Sequence, residues 1–448
     1  MEIKQFYDKA LAHGSYAVVS AKEVALVDPG RDPQPYLDFA KQHNASIVAV
    51  FETHPHADFT SSHREFHEKH GTTVYVNPRV GASYPHQPLA EGEEVKIGQL
   101  TMRARFTPGH SPDHNSYLLL DERGQPHAVF TGDSLFVGDV GRPDLREGAG
   151  NLRSKREDLA RQMYHTVNEV FKKLEDKLVV YPAHGAGSLC GKNMGPETTS
   201  TIGREKKQNW AFQANDEKQF VDRLLKDPPF IPRYFPYDLE LNRRGLDPLE
   251  ASLREVPTLN PNEALEAGCP VVDVRSEDRF KSGHLKGAIN IQEGAKFETW
   301  LGSLIAPRVP FYLVVQDDAQ RDRVVRRAAK IGYETHIKGT LVAPDHLPEH
   351  SRRLDLAHFT EHPEAYTVVD VRNVSEAKGN RLFASAVNIP LPELHDRKHE
   401  VPTDKPVVVH CAGGYRSAAG SSILEGAMPT ARVYDLGEAV KSFQPQEA

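Results

Sequence analysis

THPHADF, residues 53–59, decides how the first half of this chain is read. It follows the apolar run Ile47 to Phe51 and puts two histidines and an aspartate on one short turn. A run of branched and aromatic residues bounded by a polar turn reads as a strand, so His54, His56 and Asp58 stand just past a strand end. Three later segments repeat the arrangement: MRARFTPGH (102–110), AVFTGD (128–133) and LVVYPAHG (178–185) carry His110, Asp133 and His184 at or beyond the ends of strand-like runs. Side chains placed like this converge on the rim of a sheet, where loops held by a rigid scaffold carry function.

Outward from these segments, YAVVS, VALVDPG, TTVYV and SYLLLD add further strands, and 33–43, 59–70 and 155–175 have helical periodicity, with Asp32 an N-cap before Pro33. Residues 1–225 therefore read as one domain of alternating strands and helices. His63, His67 and His70 have helical spacing and read as a solvated helix face. The stretch 226–262 is dense in proline and reads as a linker, packed in part through its Phe and Tyr residues. Beyond it, CPVVDVRSEDRFKSGHLKGAINI (269–291) and YTVVDVRNVSEAKGNRLFASAVNIP (366–390) share VVDVR and A-x-N-I, and a second strand follows each. This is an internal repeat of one α/β unit, over 263–345 and 352–448.

The 448 residues exceed one ordinary core and suggest about three domains. A net charge of −7, with no basic stripe, argues against nucleic acid and anionic membrane as partners. No apolar run approaches a bilayer span and the N-terminus has no signal-peptide pattern, so a cytoplasmic protein is expected. Three widely spaced cysteines, Cys190, Cys269 and Cys411, fit a reducing compartment better than a disulfide framework.

The ordered set H-x-H-x-D, GH, GD and AHG resembles the metallo-β-lactamase fold, which implies an α/β/β/α sandwich over residues 1 to about 215. Members that hydrolyse thioesters, of the glyoxalase II type, hold two metals and have a histidine right after the H-x-H-x-D aspartate. Phe59 stands there and cannot bind a metal. A related branch, the persulfide dioxygenases, holds one non-haem iron. That resemblance implies His54, His110 and Asp133 as ligands of one Fe(II) per chain, with His56, Asp58 and His184 around them and His56 open as a ligand. Two imidazoles and one carboxylate leave positions for O2 and a thiolate-like substrate. The GRxD after Asp133 strengthens the likeness. It makes Arg142 and Asp144 candidates for the substrate mouth or for a structural salt bridge. Tyr181 is a candidate for a hydrogen bond near the site or for a packed strand aromatic. Cys190, in a Gly-rich loop, is a candidate for sulfur handling or for inert packing.

HCAGGYRS (410–417) follows the strand-like VVV and precedes a small-residue helical stretch. In Cys-x-x-Gly-x-Arg at such a junction, backbone N–H groups surround the sulfur. A helix N-terminus and Arg416 add positive potential, which favours a thiolate and its persulfide. The loop resembles that of the rhodaneses (sulfurtransferases). Cys411 is then the sulfur-carrying nucleophile, cradled by Ala412, Gly413, Gly414, Tyr415 and Ser417. In the first repeat VVQDDAQRD aligns Gln316 with Cys411 and Arg321 with Arg416, so that copy lacks the nucleophile and reads as packing or spacer. Its Cys269 precedes the first strand and reads as structural.

Together the parts resemble persulfide dioxygenase–rhodanese fusions over essentially the whole chain. The resemblance implies oxidation of a low-molecular-weight thiol persulfide (of glutathione, coenzyme A or bacillithiol) with O2 to sulfite and thiol, followed by sulfur transfer through Cys411 to give thiosulfate. A homo-oligomer is expected. The alternatives are a zinc thioester hydrolase of glyoxalase II type fused to a sulfurtransferase, and a non-catalytic persulfide sensor or scaffold.

Overall fold

The structure is a computed structural model that describes residues 1–146, 156–260 and 263–444. Residue 155 of the expected helix, residues 261–262 of the expected linker and 445–448 of the last domain lie outside the described residues. The chain divides into two compact units, one of Met1–Ser252 with Ala329–Gly332, the other of Leu253–Ala328 and Tyr333–Ala448.

The first unit contains two six-stranded mixed sheets. One runs in sequence order: β1 (Glu2–Asp8), β2 (His13–Ser20), β3 (Glu23–Val27), β4 (Ser46–Phe51), β5 (Thr73–Val76) and β6 (Gln87–Pro88). The other, also in sequence order, holds β7 (Glu94–Ile97), β8 (Leu100–Phe106), β9 (Asn115–Leu120), β10 (Pro126–Gly132), β11 (Val179–Pro182) and β12 (Ser200–Thr201). Side-chain alternation with period two builds the layers. On β2, Tyr16 and Val18 face Met102, Tyr117 and Phe130 of the other sheet. Ala17 and Val19 face Tyr36, Phe39 and Phe66 on the outer helices. On β9 and β10, Leu118, Leu120 and Val129 pack outward on Met163, Val167 and Phe171. The result is the four-layered sandwich that the resemblance implies.

The proline-rich stretch is not a tether. Phe235–Arg244 and Leu249–Arg254 are helical, and Tyr234, Phe235, Leu239 and Leu241 are buried in the first unit. Pro236 sits in the first turn of its helix, where a missing N–H costs nothing.

The second unit holds two four-stranded parallel sheets of identical topology. One has β13 (Val271–Asp273), β14 (Ile289–Asn290), β15 (Phe311–Val315) and β16 (Ile337–Val342) in the order 14-13-15-16. The other has β17 (Thr367–Asp370), β18 (Val387–Asn388), β19 (Val407–His410) and β20 (Val433–Asp435) in the order 18-17-19-20. The repeated sequence has a structural reason. In VVDVR the arginine doubles back on its aspartate, Arg275 on Asp273 and Arg372 on Asp370, each with a 2.6 Å Nη2–Oδ2 bond. The repeated asparagine, Asn290 or Asn388, donates to the main-chain oxygens of that same aspartate and arginine. No described helix is long and apolar enough to cross a membrane.

Candidate functional site

His54 follows β4, His110 follows β8, Asp133 follows β10 and His184 follows β11. The two sheets bring these strand ends together at one rim. The Nε2 atoms of His54 and His110 lie 3.9 and 3.5 Å from Asp133 Oδ2, and one ligand atom from each residue lies within 4.8 Å of the others. Bonds of roughly 2.0–2.2 Å to a shared ion fit such separations. Asp133 Oδ2 is buried without a hydrogen-bond partner, a costly state for a carboxylate unless a cation meets it. These three side chains therefore fit a metal ion.

The remaining nitrogens fix the rings. His110 Nδ1 is 2.9 Å from the main-chain oxygen of Arg142, which can only accept, so Nδ1 carries the proton and Nε2 presents its lone pair. His54 Nδ1 is 3.0 Å from Thr53 Oγ1, whose own hydrogen goes to Asp28 Oδ2 at 2.8 Å, so the same tautomer follows. Partners of this kind orient ligands and raise their basicity. Gly141 is required by close approach: a Cβ there would lie 2.0 Å from the Asp133 main-chain oxygen.

Asp133 Oδ1 accepts from His184 Nδ1 at 2.8 Å, and His184 Nε2 is 2.8 Å from Asp58 Oδ2. Burial alone would lower the His184 imidazolium, but the two carboxylates raise it well above its ordinary value. Burial would likewise raise Asp133, but His184, His110 and His56 hold it well below the carboxylate range. His56 belongs to two groupings, one with Asp133 and His184 and one with Asp28 and Glu52. Its Nε2 is 3.2 Å from Asp28 Oδ1. Phe59 is 1% exposed, and its ring stacks on His13 with centroids 3.7 Å apart. It fills its place with carbon and offers no donor.

Other candidates take definite positions. Arg142 and Asp144 are buried and face each other through bonds of 2.7 and 2.6 Å, so they form the salt bridge. Their effect on the site is indirect, because Arg142 supplies the carbonyl that orients His110. Tyr181 stacks on Phe130 at 5.3 Å and packs between the sheets. Cys190 is buried, in a grouping with Asp58 and His184, and burial pushes its thiol well up. His63 corrects the reading of a solvated face: it is 1% exposed, and its Nδ1 is 3.2 Å from Glu52 Oε1.

Three residues that sequence reasoning passed over hold the site together. Asp28, at the strand-end VDPG, bonds both the main-chain N–H and the hydroxyl of Thr53. Its place beyond a strand was the available signal. His114 Nε2 accepts the Asp133 N–H at 3.0 Å. Asn242 lies in the stretch read as linker, and nothing local marks it. Its amide donates to the main-chain oxygens of His56 and Phe59, and its oxygen accepts from Ser61 N–H.

In the second unit, Cys411 follows β19, buried, and its Sγ accepts the Gly414 N–H at 3.2 Å. Gly414 has φ +101°, and the helix Tyr415–Ala427 starts on the next residue. Ser417 Oγ donates to Gly414 O, and Gln444 donates to Ala412 O. A Cβ on Gly413 would meet nothing within 4 Å, so the loop is open there. Arg416 directs both terminal nitrogens to Glu376, at 2.7 and 2.8 Å. In the first repeat the sheet pairs Asp273 with Val314, and in the second Asp370 with His410. Val315, not Gln316, therefore takes the place of Cys411. Its helix begins at Asp318, one residue sooner after that position than the helix at Tyr415 begins after Cys411.

A family profile for the metallo-beta-lactamase superfamily matches residues 10–184. The crystal structure of a metallo-beta-lactamase from Staphylococcus aureus subsp. aureus COL is 32% identical with a TM-score of 0.69, covering 76% of this chain and 99% of that one. The chain belongs to the metallo-beta-lactamase superfamily. A rhodanese-like profile matches residues 261–339 and 355–444 of this metallo-beta-lactamase-fold chain. Persulfide dioxygenase ETHE1 of Mus musculus is 26% identical over 194 residues, 42% of this chain and 66% of that protein. Hydroxyacylglutathione hydrolase of Gloeobacter violaceus is 33% identical over 168 residues, 37% of this chain and 60% of that protein. The chain thus spans less than two thirds of the length of these two relatives. It is a metallo-beta-lactamase domain fused to rhodanese-like domains, with buried His and Asp groupings able to hold metal.

Proposed function

We propose that the first unit is a persulfide dioxygenase with one Fe(II) held by His54, His110 and Asp133, and that Cys411 is the nucleophile of a sulfurtransferase. The observation that carries this reading is the three-ligand face of His54, His110 and Asp133 beside Phe59. Asp133 Oδ2 meets two lone-pair nitrogens, while Phe59 fills with carbon the place where a further ligand would stand. Distant likeness to persulfide dioxygenase ETHE1 supports it.

A ferrous ion bound there supplies open coordination positions and redox chemistry. The chain's residues supply the rest. Thr53 and the Arg142 carbonyl lock the imidazoles, and His184 between Asp58 and Asp133 holds a proton beside the site. The balanced step is R–SSH + O2 + H2O → R–SH + HSO3− + H+. In the second step Cys411 carries a sulfane sulfur taken from a persulfide. Sulfite attacks that sulfur, the S–S bond breaks, and the electron pair returns to Cys411 Sγ as thiosulfate leaves. Both steps on one chain raise the effective concentration of sulfite near Cys411. The substrates are a low-molecular-weight thiol persulfide and O2, and the role is removal of sulfide-derived persulfide.

A second reading, a two-zinc thioester hydrolase, draws on the grouping of His56, Asp133 and His184 and on the likeness to hydroxyacylglutathione hydrolase. One experiment separates them. Metal is quantified on the purified full chain, and O2 uptake and products are followed with a panel of persulfides and with S-lactoylglutathione. Stoichiometric iron with O2 uptake is expected; two zinc ions with thioester hydrolysis and no O2 uptake would overturn the proposal. Cys411→Ser should keep O2 uptake and shift product from thiosulfate to sulfite. Undiminished thiosulfate in that variant would defeat the relay.

A further inference from the structure

The geometry of the Cys411 loop depends on where the helix Tyr415–Ala427 begins, because Gly414 immediately precedes that helix and aims its N–H at Sγ. Tyr415, the first helical residue, turns away from the sulfur and into the other repeat. Its hydroxyl donates to the main-chain oxygen of Gln292 at 2.6 Å. Its ring lies against Gly294, where an added Cβ would stand 2.6 Å from the ring carbon Cε2. Burial pushes the phenol above its ordinary value, so the hydroxyl stays a donor.

The receiving segment is itself fixed. Arg327 donates to Gly294 O at 2.7 Å and forks onto Glu298 at 2.8 and 2.6 Å, while the Glu293 N–H is bonded to Val274 O. A second tie joins the same two repeats in the opposite direction: the Asn290 N–H donates to Ser422 Oγ on the helix that starts at Tyr415. The repeat without a cysteine thus presents a rigid backbone acceptor and a side-chain-free seat to the loop that has one.

We propose that Tyr415 is a positioning residue through which the first, cysteine-free repeat sets the geometry of the Cys411 loop. The first repeat is then part of the sulfur-transfer machinery, not a spacer. With the Gln292 bond absent, the first turn of the helix is free to shift, and the Gly414 N–H loses its aim at Sγ. This rests on the sulfurtransferase reading of Cys411.

The test uses the full chain with Tyr415→Phe, Gly294→Ala and the double variant. Sulfur transfer from thiosulfate to cyanide is measured, and iodoacetamide alkylation at pH 7 is followed on the Cys411 peptide by mass spectrometry. Each single variant should slow both readouts, by on the order of three- to tenfold, the range expected for one lost buried hydrogen bond. The double should be no slower than the worse single, since both act through one contact. Tyr415→Phe keeps the ring and the packing, so its fold is not at risk. Both singles within twofold of the parent in both readouts, or effects that multiply in the double, would overturn the proposal. A parent without sulfur transfer would sink the sulfurtransferase reading instead, and the alkylation rates would still decide the positioning role.

Discussion

Removing the Asn242 side chain tests whether the proline-rich stretch braces the metal loop. Asn242 makes three hydrogen bonds to the loop, at 2.8, 2.8 and 2.7 Å, and is 3% exposed. Asn242→Ala leaves the carbonyls of His56 and Phe59 and the N–H of Ser61 without these partners. A buried polar group left unsatisfied costs about 1–3 kcal/mol, and water entering the vacated space recovers part of that. A net loss of about 3 kcal/mol is expected, which for a domain of this size lowers the melting temperature by about 6–12 °C. Metal retention should fall as well, because the loop carries His54; outer partners of metal sites are typically worth about 10–100-fold in affinity. The assay is a thermal melt of the full chain beside metal quantification under chelator competition. Asn242→Asp is the companion variant: it keeps the acceptor for Ser61 but turns a carboxylate on two carbonyls, and should do at least as much harm. A melt within 2 °C of the parent with unchanged metal content would refute the brace.

Phe59→His should take up a second metal ion and lose O2 uptake, because Asp58, Asp133 and His184 already stand nearby; a variant that stays at one metal per chain by elemental analysis would weaken the single-metal account. Burial pushes Glu425 up from an ordinary 4.5 to about 7, so the folded state binds the proton more tightly than the unfolded one. Its contribution to stability is then full below about 4.5 and is lost as the pH rises to about 7. Glu425→Gln should therefore melt above the parent at pH 8 and beside it at pH 4.5, and a gap that does not change with pH would contradict this.

The strand ends were legible because each is a short apolar run cut off by Gly, Pro or a polar turn. His54, His110 and Asp133 could be placed at these ends because local chain geometry sets the position of a residue just past a strand; their role as ligands was implied by resemblance alone. The repeat was legible for a related reason. VVDVR and A-x-N-I recur because the arginine and asparagine satisfy backbone and carboxylate groups within a few residues of themselves or on the adjoining strand. Proline density, by contrast, read as a linker, although Pro236 only opens a helix whose apolar face is buried.

The sequence by itself marked the strand ends that carry His54, His110, Asp133 and His184, and the repeat with its Cys-x-x-Gly-x-Arg loop. These follow from periodicity, turn residues and motif spacing, all local properties, whereas the fold types were implied by resemblance to known families. Only the tertiary structure decided what surrounds them. Asn242 reaches a loop more than 180 residues earlier in the chain, Arg142 turns its charge on Asp144 and its carbonyl on His110, and Tyr415 leaves its own loop for the other repeat. Such contacts join groups far apart in sequence, and their energy comes from satisfying buried polar atoms that exist only once the core has closed. No local pattern records them.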